Sequence, residues 1–257
     1  MTAPRTTWFL LHAAGAGPGS LKPLAQRLLA SGCRVERPTI THPYPGICPI
    51  NAAADALVDA ARSLGTSARI FGHSMGGLVA IAAVLRGARP RELVLYEPIV
   101  HAALDPTDPE DANALRPDTE MLERLTDAVR TGDLARGAEA FVDSMGAGTW
   151  ATLPAPAQEQ LARQAPALAE LARAVARYRV DVGALARTAV EVRLLRGSRS
   201  PSFTRTIARR LAQALPSAAL IDVEYAHHMA PAIQATLIAP LLEMSMEATR
   251  PPTGRPA

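Results

Sequence analysis

Short apolar runs alternate with amphipathic stretches through the first hundred residues, and this order constrains the fold more than any other feature of the sequence. The apolar runs are typical of buried β-strands, whereas the stretches between them repeat apolar residues at helical spacing. We expect strands at Trp8–Leu11, Arg34–Arg37, Ala68–Phe71, Glu92–Tyr96, Val190–Leu195 and Ala219–Val223. Alternation of strand and helix favours a mostly parallel sheet with helices on both faces, so the predicted fold class is α/β.

The alternation stops in one long segment and then resumes. Residues 101–189 are polar, alanine-rich and helical in pattern, with Leu122, Leu125 and Val129 on one stripe. We therefore predict a core formed by residues 1–100 and 190–248, a helical insertion at 101–189, and a disordered tail at 249–257, which contains three prolines. The last helix of the core is expected from Pro231 to Met246.

Composition excludes several classes of protein. No run of ~18 uncharged apolar residues occurs in the 257-residue chain, so a membrane span is not expected. The net charge of +3 comes from interspersed arginines and acids, and aromatic residues make up 4%, which disfavours a nucleic-acid partner. Cys33 and Cys48 are too few for a metal cluster or a disulfide framework. Since the N-terminus lacks a signal-peptide pattern, we expect a cytoplasmic monomer or homodimer whose partner is a small-molecule substrate.

The stretch from Phe71 to Gly77 carries the most chemical information, because it has the pattern G-x-S-x-G around Ser74. A strand ends there, small residues flank the serine, and a helix begins. Such a sharp turn holds its central residue in a strained conformation and exposes the hydroxyl above the sheet. It also aims the N–H of Met75 at the point where negative charge develops during acyl transfer. The alternative is a glycine-rich turn with an incidental serine, which this strand–turn–helix context disfavours.

The sequence resembles the α/β-hydrolase superfamily in three motifs, namely Leu10–Gly15, Gly72–Gly77 and Ala226–Pro231. The segment 101–189, which lies outside them, would be the variable helical cap of the family. The family usually begins with two antiparallel strands, which we expect to be absent because few residues precede Trp8. The resemblance thus implies a six-stranded sheet, with Glu92–Tyr96 as the sixth strand of the family and the cap inserted after it.

The resemblance also implies a nucleophile and a base. Ser74 would be the nucleophile, which needs a neighbouring group to take its proton. His228 follows the last predicted strand, where the superfamily has its base, and it is favoured over its neighbour His227.

The third member of the expected triad is Glu97. The commonest position for the acid follows the next-to-last strand, where Arg196–Pro201 contains no carboxylate. A known alternative, used by haloalkane dehalogenases, lies at the end of the sixth strand, where this chain has Glu97. Two other interpretations stay open: a solvated or capping glutamate, and a dyad of serine and histidine assisted by Ser198, Ser200 or water.

The resemblance implies two backbone donors for an oxyanion hole. One is the N–H of Met75, and the other belongs to Ala14 or Ala13, in the loop after the first strand. This chain has His12-Ala13 where the family usually has His-Gly, a change that leaves the backbone donor in place.

Several side chains are expected near the substrate. His12, His73, His101 and Trp150 are the candidate substrate-binding residues, and His42 is a further loop histidine near the expected pocket mouth. For two of them another role is expected beside this one: His12 would brace the loop of the oxyanion hole, and His73 would pack beside or line the pocket. Apolar residues of the insertion are candidates for a pocket roof: Leu104, Met121, Leu122, Leu125, Phe141, Met145, Trp150 and Leu153.

These residues predict a serine hydrolase that cleaves a small to medium ester or related acyl substrate through an acyl-enzyme. No metal and no cofactor are expected, since the sequence shows no metal-ligand pattern. A serine at the turn argues against dehalogenase and epoxide hydrolase activity, which need a carboxylate nucleophile. Two alternatives stay open: a C–C bond hydrolase or biosynthetic lyase or cyclase on the same fold, and a non-catalytic ligand-binding homologue.

Overall fold

The computed structural model describes residues 6–40, 48–64, 67–146 and 148–244. Within these ranges six strands form one parallel sheet in the order β2-β1-β3-β4-β5-β6. The strands are β1 (Thr7–Leu11), β2 (Arg34–Glu36), β3 (Ala68–His73), β4 (Glu92–Tyr96), β5 (Glu191–Gly197) and β6 (Ala219–Val223). The predicted α/β class and the six-stranded parallel sheet are confirmed. The expected tail at 249–257 lies outside the described residues.

Helices connect the strands and cover both faces of the sheet. They are α1 (Lys22–Ala30), α2 (Pro49–Arg62), α3 (Met75–Leu85), α4 (Pro109–Thr131), α5 (Leu134–Ser144), α6 (Thr149–Thr152), α7 (Ala155–Arg177), α8 (Val182–Ala186), α9 (Ser202–Ala214), α10 (Ala230–Ile233) and α11 (Ala235–Glu243). The single helix expected from Pro231 to Met246 was wrong, because Gln234 leaves helical geometry at φ −124° and ψ 42° and separates α10 from α11. In the described ranges, no helix is both long and apolar enough to cross a bilayer.

Alternating side chains of the strands enter two separate hydrophobic clusters. Trp8 and Leu10 of β1 pack on the face covered by α1 and α11, while Phe9 and Leu11 pack on the face covered by α2 and α3. This alternation follows from the two-residue period of a strand. Helix α3 is buried along nearly its whole length, which explains why it is apolar all round.

Helices α4 to α8 lie between β4 and β5, in the segment predicted to be the insertion. They follow β4, the strand expected to correspond to the sixth strand of the family. Part of the segment has its own buried cluster, formed by Met121, Leu125, Ala165, Leu168 and Ala169. The segment is therefore helical as expected, and its role as a cap stays a prediction.

The turn between β3 and α3 is packed too tightly for side chains at three glycines. A Cβ on Gly72 would lie 2.6 Å from the Cα of Gly77, and one on Gly77 would lie 2.6 Å from the Cβ of Pro98. A Cβ on Gly76 would lie 2.6 Å from the carbonyl carbon of Leu11. Since the obstacles are largely backbone atoms, only glycine lets α3 approach β1 so closely.

Gly76→Ala is expected to lower the free energy of unfolding by about 3 kcal/mol, because the added methyl group would push α3 away from β1. Gly17→Ala is the matched control, since its Cβ would meet no atom within 4 Å and its φ of −96° suits any residue. Urea denaturation of both variants measures the difference. Equal stability of the two variants would contradict this packing.

Candidate active site

Ser74 lies at the carboxyl end of β3, at the start of α3, in a conformation that non-glycine residues rarely adopt. Its φ is 57° and its ψ is −121°. Its N–H donates to the carbonyl of Tyr96, 3.0 Å away, and its own carbonyl accepts from the N–H groups of Gly77 and Ile99. A residue in such a conformation carries about 1–3 kcal/mol of strain, which the surrounding hydrogen bonds must offset. The sequence pattern G-x-S-x-G thus forms the expected sharp turn, with Ser74 at its centre.

Glu97 and His228 form a buried hydrogen-bonded pair at the same end of the sheet. His228 Nδ1 donates to Glu97 Oε2 over 2.7 Å, and the N–H of Gly197 donates to Glu97 Oε1, also over 2.7 Å. Glu97 is 0% exposed and His228 is 1% exposed. Because both carboxylate oxygens accept hydrogen bonds, Glu97 is held in one orientation. The proton on Nδ1 leaves Nε2 as the acceptor nitrogen of the neutral ring.

Ser74 and His228 both line one cavity at this end of the sheet. Among the hydrogen bonds of the described residues, none joins Ser74 Oγ to the imidazole. Hydrogen bonds of this kind are often long before a substrate is bound, so the arrangement is compatible with proton transfer from Ser74 to Nε2.

Two side chains anchor the loop that carries His228. The His73 Nε2–H donates to the carbonyl of His228, and the Tyr96 hydroxyl donates to the carbonyl of His227, each over 2.8 Å. The rings of His73 and His228 lie 4.9 Å apart. Burial, and next the neighbouring His228, hold the pKa of His73 well below its usual range. His73 is therefore a neutral anchor under the loop.

The donors expected for an oxyanion hole face the same cavity as Ser74. Met75 is the first residue of α3, so its N–H has no partner within the helix. Ala13 and Ala14 line the cavity on the side of the loop after β1. His12 braces this loop, because its Nδ1 donates to the carbonyl of Ala13 and its Nε2 accepts from the N–H of Ile40. Burial lowers the pKa of His12.

The cavity has a volume of about 530 Å³ and a mostly apolar lining. Five of the expected roof residues line it, namely Met121, Leu122, Phe141, Met145 and Leu153. The lining given by the described residues does not include Leu104, Leu125 or Trp150. Leu104 and Leu125 lie in hydrophobic clusters instead, because the helix faces that carry them pack against neighbouring elements.

Only one of the four expected substrate-binding side chains lines the cavity, and this is His101. His12 and His73 do not line it, because both are buried, and their rings bond to backbone groups through both nitrogens of His12 and through Nε2 of His73. Trp150 is the second residue of the short helix α6, and its backbone N–H donates to the carboxylate of Asp143. His42 lies outside the described residues.

Asp118, a charged residue that lines the cavity from α4, was not among the site residues expected from the sequence. A signal was available, because Asp118 shares the helical spacing of Met121, Leu122 and Leu125. An acid on an otherwise apolar helix stripe is unusual and marks a position with a specific partner.

A sequence model described as "Alpha/beta hydrolase family" matches residues 8–241 of the chain. The chain belongs to the α/β-hydrolase family. Comparison with curated proteins finds no match. In the part of the chain that the structure describes, no group of three or more His, Cys, Asp or Glu residues is arranged to hold a metal ion.

Solved structures of the same fold cover nearly the whole chain at low sequence identity. An alpha/beta hydrolase from Sphaerobacter thermophilus is 20% identical, with a TM-score of 0.63 and coverage of 92% of this chain and 91% of that one. The 2-hydroxy-6-oxo-6-phenylhexa-2,4-dienoate hydrolase of Rhodococcus sp. strain RHA1 is 19% identical, with a TM-score of 0.67 and coverage of 93% and 89%. A thermophilic esterase from Thermogutta terrifontis is 18% identical, with a TM-score of 0.65 and coverage of 92% and 88%. At these identities the likeness shows the fold alone.

The neutral His73 predicts that acid destabilises the protein. In the unfolded chain His73 regains its ordinary pKa of about 6.5, so below this pH the unfolded state binds more protons than the native state. The free energy of unfolding should therefore fall, by up to about 1.4 kcal/mol per pH unit for each such group. His12 and His227, whose pKa values burial also lowers, act in the same direction.

The measurement is urea denaturation between pH 7.5 and pH 5, with His73→Gln as the comparison. Glutamine retains an N–H donor but does not titrate, so the variant should lose less stability over this range than the wild type. Identical slopes for the two proteins would show that His73 does not contribute.

Proposed function

We propose that this α/β hydrolase cleaves an ester bond of a small to medium substrate through an acyl-enzyme, with Ser74, His228 and Glu97 as a catalytic triad. The observation that carries the proposal is the 2.7 Å hydrogen bond between His228 Nδ1 and the buried Glu97 carboxylate. This bond fixes the tautomer in which Nε2 can accept a proton, and it stabilises the imidazolium that forms. Ser74 lines the same cavity as the imidazole, so a substrate bound in the cavity can reach its hydroxyl.

The reaction then follows in two balanced stages. Ser74 Oγ attacks the acyl carbon while its proton moves to His228 Nε2, and the N–H groups of Met75 and Ala14 bind the developing oxyanion. The C–O bond of the ester breaks, and His228 returns the proton to the departing alcohol. Water, deprotonated by the same imidazole, attacks the acyl-enzyme. Collapse of the second oxyanion breaks the bond to Ser74 Oγ and releases the acid, and the imidazolium returns the proton to Oγ.

The helices of residues 101–189 would act as the cap of this site. Side chains from α4 and α5 line the same cavity as Ser74, and they are mostly apolar. A volume of about 530 Å³ suits a small or medium acyl ester, and an apolar roof favours an uncharged chain.

Ser74→Ala should reduce the kcat for p-nitrophenyl butyrate by about 10⁴-fold or more, since no other group can form the acyl-enzyme. A fluorophosphonate probe should label the wild type at Ser74 and leave the variant unlabelled, as mass spectrometry of the labelled peptide would show. If Ser74 is labelled but no ester is turned over, the result would favour C–C bond cleavage or a lyase reaction in place of ester hydrolysis. Absence of both labelling and turnover would favour a ligand-binding homologue.

Glu97→Gln should lower kcat by about 10³- to 10⁴-fold with little change in KM, because an amide facing His228 favours the wrong tautomer. Asp222→Asn is the control, since Asp222 is an exposed acid at the end of β6 that pairs with Arg196. Steady-state kinetics of both variants provide the comparison. Near-wild-type turnover by Glu97→Gln would remove Glu97 from the triad and return the choice to a dyad.

A further inference from the structure

We infer that Asp118, oriented by His101, is a specificity-determining residue that binds a hydroxyl group of the substrate. The inference rests on the proposed function, because Asp118 lines the cavity that contains Ser74. It specifies the substrate class further, as an ester with a hydroxyl group on an otherwise apolar chain.

The side chains of Asp118 and His101 both line the cavity and are hydrogen-bonded to each other. Asp118 belongs to α4. His101 begins a short 3₁₀ turn, His101–Ala103, in the connection between β4 and α4. His101 Nε2 donates to Asp118 Oδ2 over 2.9 Å, and the side chains are 11% and 12% exposed, respectively. The ring of His101 packs against Phe203, with 5.3 Å between the ring centroids. The carboxylate is therefore held in one position at the cavity surface.

One carboxylate oxygen remains available to a ligand. Among the hydrogen bonds of the described residues, Asp118 uses only Oδ2, so Oδ1 keeps its acceptor sites. Met121 and Leu122, on the same helix face, surround the carboxylate with apolar cavity wall. A carboxylate in such surroundings is costly unless a donor satisfies it, and a site built this way discriminates strongly for ligands that supply the donor.

The charges that line the cavity indicate which kind of hydrogen-bond donor the substrate presents to Asp118. Among the lining residues that the structure describes there is neither lysine nor arginine, and Asp118 is the one carboxylic acid. An anionic substrate would meet this carboxylate without a compensating cation, which disfavours it. An uncharged hydroxyl group can donate to Oδ1 at a small cost of desolvation, whereas an ammonium group would have to give up its hydration shell to enter this apolar cavity, which favours the hydroxyl group.

A purely structural role makes a different prediction. If the pair only joined α4 to the turn after β4, its loss would weaken the fold and reduce the rates of all substrates in parallel. A selector changes the ratio of rates between two substrates that differ only in the hydroxyl group, so this ratio is the decisive quantity.

The experiment uses two matched pairs of esters, which test both sides of the ester bond. They are hexyl butyrate with 6-hydroxyhexyl butyrate, and p-nitrophenyl hexanoate with p-nitrophenyl 6-hydroxyhexanoate. In at least one pair, wild-type kcat/KM should be about 10- to 100-fold higher for the hydroxylated ester, the range for a hydrogen bond to a charged group. Asp118→Leu should bring this ratio close to one, and Asp118→Asn, which keeps shape and acceptor but not charge, should give an intermediate ratio. Glu120→Gln, an exposed carboxylate on α4, is the control that keeps the wild-type ratio.

Calorimetric binding of the butyrate pair to Ser74→Ala, with and without Asp118→Leu, separates this inference from the proposed function. Tighter binding of the hydroxylated ester that is lost with Asp118→Leu supports the inference, even if no ester is turned over. Wild-type turnover of plain esters with a ratio of one in both pairs overturns the inference and leaves the proposed function intact. The inference is also overturned if Asp118→Leu loses rate equally for both members of a pair. It is overturned as well if both butyrates bind equally, or neither binds detectably, and the kinetic ratio is one.

Discussion

The hydrogen bond between Glu97 and His228 is the interaction on which the proposed chemistry of the site depends. It depends on the register of the parallel sheet, in which His73 is paired with Tyr96 and Tyr96 with Leu195. Ser74 is the residue directly after β3 and Glu97 is the residue directly after β4, so the sheet brings the two side by side. The imidazole arrives from the loop after β6, and the carboxylate receives it while Gly197 holds the other oxygen. A shift of one residue in register would separate these groups.

Backbone strain is concentrated at the same end of the sheet. The non-glycine residues with positive φ among the described ones are Ser74, Glu97 and Tyr225, at 57°, 45° and 61°. The first two are the proposed nucleophile and acid, and the third lies in the loop that leads to His228. Such conformations persist only where the surrounding structure offsets their cost, as the bonds from Ser74 to Tyr96 and from Glu97 to Leu195 do here. The strain is thus linked to the positions that the proposed chemistry requires.

The sequence was sufficient to predict the strands of the sheet and the sharp turn at Ser74, because strand periodicity and the G-x-S-x-G spacing are local signals. Glu97 and His228 needed the resemblance to a family, since no local pattern tells which acid meets which histidine over 131 positions. His12 was expected to brace the loop after the first strand and His73 to pack beside or line the pocket, but their backbone partners were not predictable, because only the folded chain brings Ile40 and His228 near them. His101 was expected near the substrate and Asp118 had a signal in its helical stripe, but the pairing of the two was not predictable for the same reason. Their pairing depends on how α4 lies over the turn after β4.

The helices between β4 and β5 contain a buried cluster of their own, separate from the two clusters that flank the sheet. The buried residues of this cluster belong to α4 and α7 alone, and none of them is a residue proposed for the triad. If the segment acts as the proposed cap, mutation can change its inner surface over evolutionary time while the elements that carry Ser74, Glu97 and His228 stay the same. In the laboratory, the same separation makes the segment a region for chimeras, in which the corresponding helices of another protein replace these ones and are tested for new substrates.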